Sequence, residues 1–323
     1  MKAVYVWLVS ASLLAVGCGN GNGGNNDGGT DTEVTQAEGT NYRFVANSLQ
    51  LPTSRTQYAF DLNGDGNVEN QLGNIISGLS SLLNVQSAVD TAVAAGQAII
   101  LFNVQSGDAN LTSATNVGTT VYLGNQQANP DFSGNGTFTI NPAVSGARFL
   151  GRITSSRFTS NNPATTRLAP VTVSLNLPLV DGVEPLRLQL NGARVQWNST
   201  GNTGLAQVQI NGSLKRSQLE NDAIPVIASL LTSLIVANGP NAAQIKTIFD
   251  TGNCTGAAAN DNVIATCEVA GNAIIQNLLI PDVQIFAADG TTYQPCRQAS
   301  GCAADSLSVG VQFTAVRANF TTP

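Results

Sequence analysis

The sequence predicts an α+β chain, mainly β, with antiparallel sheets packed sandwich-like and a few amphipathic helices against them. Three observations predict it. Only 11% of the 323 residues are charged, while Gly, Asn, Ser and Thr are abundant, a surface composition common in secreted β-rich proteins. Between about 117 and 216, apolar residues alternate with polar ones and turn dipeptides separate the runs. Two other stretches space their apolar residues by three and four, as one face of a helix does.

Residues 1–17 have the form of a signal peptide, with Lys2 before an apolar run from Val4 to Val16 that is short for a membrane span. Leu14-Ala15-Val16-Gly17-Cys18 resembles the lipobox of bacterial lipoproteins. That resemblance implies a Cys18 that is acylated, becomes the N-terminus and holds the protein on a membrane. Gly19, where Asp would signal inner-membrane retention, points to the outer membrane. Residues 18–41 carry almost no apolar side chains and read as a flexible tether. The body is expected over 42–323, with a possible subdomain break near 110–118.

In the body, 42–46 and Tyr58-Ala59-Phe60 read as short strands. Next comes the stretch with the most specific chemistry, Asp61-Leu62-Asn63-Gly64-Asp65-Gly66-Asn67-Val68-Glu69. Oxygen-bearing side chains fall at positions 1, 3 and 5 (Asp61, Asn63, Asp65), and Gly66 stands at position 6, where the chain must turn sharply. Asn67 offers a carbonyl at position 7 and Glu69 a carboxylate at position 9. Over these nine residues the pattern resembles the calcium loops of EF-hands and dockerins. Position 12 is Leu72, which cannot be a ligand. The site is therefore either weak or completed by a carboxylate from elsewhere. An ion-free Asx-rich turn is the competing reading.

Val68, Leu72, Ile75, Ile76, Leu79, Leu82 and Leu83 form a helical stripe after the loop, and a shorter helix from Val85 is expected to end at Gly96. Residues 98–102 read as a buried strand. Further strands are expected at 120–123, 137–140, 147–153, 171–177, 186–190 and around Val208 and Ile210, with turns at Asp181-Gly182, Asn191-Gly192 and Asn211-Gly212. Asn221 or Asp222 can cap a helix with Pro225 in its first turn and a stripe from Ile227 to Ile235; Asn238-Gly239-Pro240 stops it. A short helix over 242–249, a helix over 268–279, a strand over 283–286, a turn at Asp289-Gly290 and a closing strand around 307–313 complete the reading.

Beyond Cys18 the chain has four cysteines, Cys254, Cys267, Cys296 and Cys302. In an exported protein an even number points to disulfides. Of the three connectivities, Cys254–Cys267 with Cys296–Cys302 is expected, because each pair closes a short loop.

Composition also excludes. The chain has no histidine, which removes Ser-His-Asp and Cys-His catalysis and His-ligated metals. A net charge of −6 without a basic cluster argues against nucleic acid. The lipobox, DLNGDGNVENQLG, AGNAIIQNLLIPDVQIF and DSLSVGVQFTAVRANF together resemble uncharacterised lipoproteins of Gram-negative bacteria, a resemblance that implies no activity. The expected role is a membrane-anchored binding or structural protein with a structural Ca²⁺ and an unnamed protein, glycan or lipid ligand. A periplasmic carrier of an apolar ligand is the alternative. A two-carboxylate glycan hydrolase ranks behind it, since no Asp/Glu pair stands out.

Overall fold

The computed structural model describes residues 33–80, 84–177, 185–298 and 300–322. Cys18, Leu82, Leu83, Leu179 and the Asp181-Gly182 turn lie outside them.

The expectation of a sandwich-like α+β fold is wrong: the strands close into an antiparallel barrel. The strands are β1 (Thr40–Gln50), β2 (Ile100–Ser106), β3 (Ala114–Leu123), β4 (Ala147–Thr154), β5 (Arg157–Ser160), β6 (Val173–Leu177), β7 (Leu186–Ser199), β8 (Gly204–Lys215) and β9 (Ser306–Arg317). Eight of them pair in a ring, β1-β2-β3-β4-β5-β7-β8-β9 and back to β1, and β6 is an extra strand on β7. Closure comes from β7. Its C-terminal part pairs with β5 (Phe158 opposite Trp197), while its N-terminal part pairs with β6 (Leu175 opposite Leu188). Two open sheets and one closed sheet both bury every second side chain, so alternation alone could not separate them.

Inward-facing side chains fill the barrel. Phe44 lies opposite Phe102, Ile153 opposite Phe158, and Leu49 opposite Phe313, all buried. Phe158 stacks on Trp197 at 5.0 Å, and Phe102 meets Phe313 edge-on at 6.0 Å. The indole N–H of Trp197 donates to Thr119 Oγ1 on β3 at 3.0 Å, across the filled interior. A buried N–H needs such a partner. Outward positions on β4, β7, β8 and β9 include Arg148, Arg152, Gln196, Gln209 and Gln312. Gln196, Gln209, Gln312 and Gln50 even stand in register across four strands.

The turns expected at Asn191-Gly192 and Asn211-Gly212 do not exist; β7 and β8 run through both. Gly192 has φ +58 beside a register shift in β7, and a side chain there would strike the Tyr293 ring. The dipeptide therefore marks a bulge, which calls for the same backbone freedom as a turn. The Tyr58–Phe60, Thr137–Ile140 and Val283–Phe286 strands are not strands but segments making isolated bridges. The 137–140 segment covers the outer face instead, where Phe138 packs with Val45, Leu101 and Phe320. At the other end of the sequence, folding starts earlier than the composition indicates: Val34 is buried, and Asn161 holds its backbone through both N–H and C=O. Glu33–Pro323 forms one compact unit and β3 crosses 110–118.

The helices are α1 (Gln71–Leu79), α2 (Val85–Ala94), α3 (Arg216–Gln218), α4 (Ile224–Val236), α5 (Ala242–Phe249), α6 (Thr266–Gly271) and α7 (Ala273–Leu278). Gly96 ends α2 region with φ +71, as expected of a left-handed stop. A π-helical turn over Leu219–Ala223 joins α3 to α4. The capping expected at Asn221 or Asp222 is therefore wrong, since the helical rod begins at Arg216. Pro225 removes one backbone donor inside the rod, and the wider turn lies directly before it. By length and composition Arg216–Val236 is long and apolar enough to cross a membrane, yet Ile224, Leu231 and Ile235 are buried in the same core as the barrel. The helix expected over 268–279 is two short ones, broken at Asn272. Both expected disulfides are present, Cys254–Cys267 and Cys296–Cys302.

The cross-barrel bond gives a direct test. Thr119→Val strands the Trp197 N–H in an apolar interior and should cost about 1–3 kcal/mol in urea unfolding. In a double-mutant cycle, Trp197→Phe should cost less in the Thr119→Val background than in wild type. Additive effects would show that the bond contributes no coupling.

Candidate functional site

The Asp61–Glu69 loop is the candidate site, and its local geometry follows from its own short side chains. The Asp61 carboxylate accepts three backbone N–H groups: Gly64 (2.6 Å) and Asp65 (3.2 Å) on Oδ1, and Gly66 (3.0 Å) on Oδ2. Asn63 Oδ1 accepts from Asp65 N at 3.1 Å, and Asp65 Oδ1 from Asn67 N at 2.8 Å. Gly64 and Gly66 take φ +81 and +92, which few other residues adopt. The chain then returns, and Glu69 N donates to Phe60 O at 3.1 Å, closing the loop at its base.

Long-range contacts fix this loop to the barrel. Leu62, at position 2, is buried with Phe60, Val283, Ile285 and Phe286 in a small apolar cluster of its own. Arg194 on β7 donates to Asp61 O at 3.0 Å and lies 5.2 Å over the Phe60 ring. Asn70, immediately after the loop, is fully buried and acts as a substitute strand. Its Nδ2 donates to Gly310 O on β9 (3.0 Å), and its Oδ1 accepts from Gly310 N (3.0 Å). A third bond runs from Nδ2 to Gln57 O at 2.7 Å. Gly310 must be glycine here, because a Cβ would collide with Asn211 Oδ1 and Tyr58 O. Gln71 N donates to Ser308 Oγ (2.7 Å), whose hydroxyl in turn donates to Asp282 Oδ2 (2.5 Å).

The stripe that follows the loop is not wholly as expected. Leu79 is buried and Leu72, Ile75 and Ile76 pack on the core, but Val68 is 52% exposed because it precedes the helix. The helix starts only at Gln71, after Asn70 has turned to Gly310.

Electrostatically the site is negative. Burial raises the Glu69 carboxyl to about 8, and Asp65, Asp61 and Asp282 push it the same way. One Glu69 oxygen, Oε2, is buried without a hydrogen-bond partner. Burial also raises Asp282, against the bonds from Ser308 and the charge of Arg55, 3.8 Å away. The expected oxygen donors Asp61, Asn63, Asp65, Asn67 and Glu69 are thus on one loop, with Asp282 contributing charge from a distant segment. Among the described residues, no three His, Cys, Asp or Glu side chains already converge as a metal shell. Asp61 and Asp65 spend oxygens on the loop's own N–H groups, and the Asp282 oxygens face Ser308.

Arg194, Asn70, Asp282 and Ser308 were not legible as site residues. Their partners are more than 130 positions away or on strands whose neighbours the sequence does not specify.

By fold the molecule belongs among closed antiparallel barrels with a packed interior. No protein-family model, curated protein or solved structure matches this chain.

Glu69 dictates a pH response. In a chelator, folded Glu69 keeps its proton up to about 8, whereas in the unfolded chain it ionises near 4.5. A raised carboxyl favours folding fully below the unfolded value and loses that contribution as pH rises through the folded one. The melting temperature in chelator should therefore fall between pH 5 and 8, and Glu69→Gln should flatten the fall. Equal slopes in wild type and variant would remove Glu69 as its source.

Proposed function

We propose that this chain is an anchored binding or structural protein of the outer membrane, tethered through lipid on Cys18 and stapled by Ca²⁺ at the Asp61–Glu69 loop. The observation that carries the calcium reading is Glu69: a carboxyl with a buried, unpartnered oxygen, beside Asp61 and Asp65, on a loop clamped to two barrel strands. Such crowding of like charge is relieved by a hard divalent cation. The donors are all oxygens, the set Ca²⁺ prefers, with Asp61, Asn63, Asp65 and Glu69 supplying side chains and Asn67 its carbonyl. Binding would draw an Asp61 oxygen from the loop N–H groups toward the ion, whereas Asp65 gives the loop only its Oδ1. With Leu72 at position 12, affinity falls in the weak range of extracellular modules, about 10⁻⁴–10⁻³ M. The ion's role is structural, holding the loop against β7 and β9.

The carrier reading draws less support. The barrel interior is filled by Trp197, Phe158, Phe102 and Phe313. An aliphatic hollow between the barrel and the helices, walled by Leu51, Leu72, Ile76, Leu214 and Ile227, is about 80 Å³. That is smaller than the roughly 150 Å³ cavity that admits one benzene.

At tenfold excess over its dissociation constant, Ca²⁺ should stabilise the fold by about 1.4 kcal/mol. Thermal melts with Ca²⁺ and with chelator should therefore differ for wild type and coincide for Asp61→Ala with Asp65→Ala. A wild-type midpoint indifferent to Ca²⁺ rejects the ion and leaves the turn. Separately, Cys18→Ser should prevent lipid attachment and shift the protein out of the membrane fraction. Unchanged mass and partition would reject the anchor.

A further inference from the structure

Residues 33–39 belong to no strand; they form a strap across the outer face of the barrel. The strap starts beside Asn161, just after β5, passes Gly118 on β3, and reaches the end of β2 at Ser106. Val34 is the first large apolar residue after the run that ends at Val16, and it is buried. The Asn161 amide holds it as a neighbouring strand would: Oδ1 accepts from Val34 N (3.4 Å) and Nδ2 donates to Val34 O (2.7 Å). Asn161 is itself pinned to β4, because its N–H donates to Leu150 O (2.8 Å), and Leu150 lies opposite Gly118. A Cβ on Gly118 would stand 2.8 Å from the Ala37 Cβ. A glycine inside a strand weakens it and marks a close approach, and Ala37 is what approaches. Glu38 N then donates to Asn116 O (3.1 Å), and Asn116 Nδ2 to Glu38 Oε1 (3.2 Å).

We propose that this groove also receives the strap of a second copy of this chain, so that two copies exchange residues 33–39 reciprocally. The groove is shaped for this one sequence. Asn161 fixes the backbone at Val34, the bare backbone of Gly118 admits a side chain no larger than that of Ala37, and Asn116 takes the carboxylate of Glu38. Charge agrees: the strap carries Glu33 and Glu38, while β2–β5 carry Arg148, Arg152 and Arg157 and no Asp or Glu. Every contact made by a copy's own strap can be made equally by its partner's, which is why exchange of an identical element is a low-cost route to a symmetric dimer. The strap can leave without opening the barrel, since Val34 and Ala37 pack outside the main core. Its hinge is Gly39, at φ +98 before the first residue of β1. Within one chain the strap is held at high effective concentration, so exchange takes crowded copies or a strap already lifted. The inference depends neither on calcium nor on the lipid anchor.

The test uses the protein carrying Cys18→Ser, so that no lipid contributes to association. Val34→Asp puts a charge at a buried site, lifts the strap and leaves the groove open. A labelled peptide with the sequence of residues 33–39 should saturate this variant and bind at least about tenfold more weakly where the chain's own strap is seated. Asn161→Ala removes the clamp and Gly118→Val fills the place of Ala37; either, added to Val34→Asp, should abolish peptide binding. Circular dichroism shows which variants fold. Chains with Val34→Asp have an open groove and a disabled strap, and chains with Asn161→Ala the reverse. Mixed, they should form a heterodimer in sedimentation velocity that neither forms alone. A peptide that fails to saturate Val34→Asp overturns the proposal. So does equal binding to the seated and lifted forms, or binding that survives in a folded groove variant. A mixture that sediments as the sum of its parts, above the peptide's dissociation constant, overturns it as well.

Discussion

The structure depends on β7 having three neighbours. One strand of 14 residues pairs with β8 over Asn191–Ser199 on one edge and divides the other edge between β5 and β6. If β7 ended at Asn191-Gly192, as turn chemistry alone would have it, its second half could not reach β5 and the sheet would stay open. The bulge around Gly192 and the shift between Gln196 and Asn198 are the local irregularities that let a single strand serve both partners. Bulges bend a strand and increase its twist, and barrels need both. The stacked Phe158–Trp197 pair sits directly at the closing joint and brings with it the Thr119 bond across the interior.

The candidate site hangs from the same framework. Arg194, two residues beyond Gly192 on β7, holds the carbonyl of Asp61, while Asn70 holds Gly310 on β9. The loop is thereby tied at both ends to strands on either side of β8. Its inner shape comes from Asx and glycine geometry, but its position comes from the barrel. A sequence that kept Asp61–Glu69 and lost Arg194 and Gly310 would keep a turn and lose its place.

Much of the local structure was legible. Alternation found the cores of β6, β8 and β9 and the first half of β7, a continuous apolar run found β2, helical spacing found α1, α2 and α4, and loop length chose the right cysteine pairs. What failed was non-local. Asn-Gly at 191 and 211 reads equally as a turn or as a tolerated bulge, and only a neighbour strand decides. Residues 283–286 and 137–140 have strand-like side chains but cover other surfaces, Phe60 and Leu62 in one case and Val45 and Leu101 in the other. Closure itself leaves no trace in any one segment, because inward alternation looks the same in a sandwich. For the site, spacing revealed the oxygens; the charge from Asp282 and the anchoring by Asn70 came from contacts spanning more than 200 residues.

The place of β9 carries a kinetic consequence. β9 is formed by Ser306–Arg317, near the end of the chain, and fits between β1 and β8. Until those residues emerge, the two strands that flank them have bare edges facing each other and the ring has a gap one strand wide. Closing the ring must therefore wait for β9, and it brings together the ends of a loop of more than 250 residues between β1 and β9. The unclosed intermediate presents strand edges to any other copy nearby. A chain of this topology gains from being kept apart from its copies until its last strand arrives.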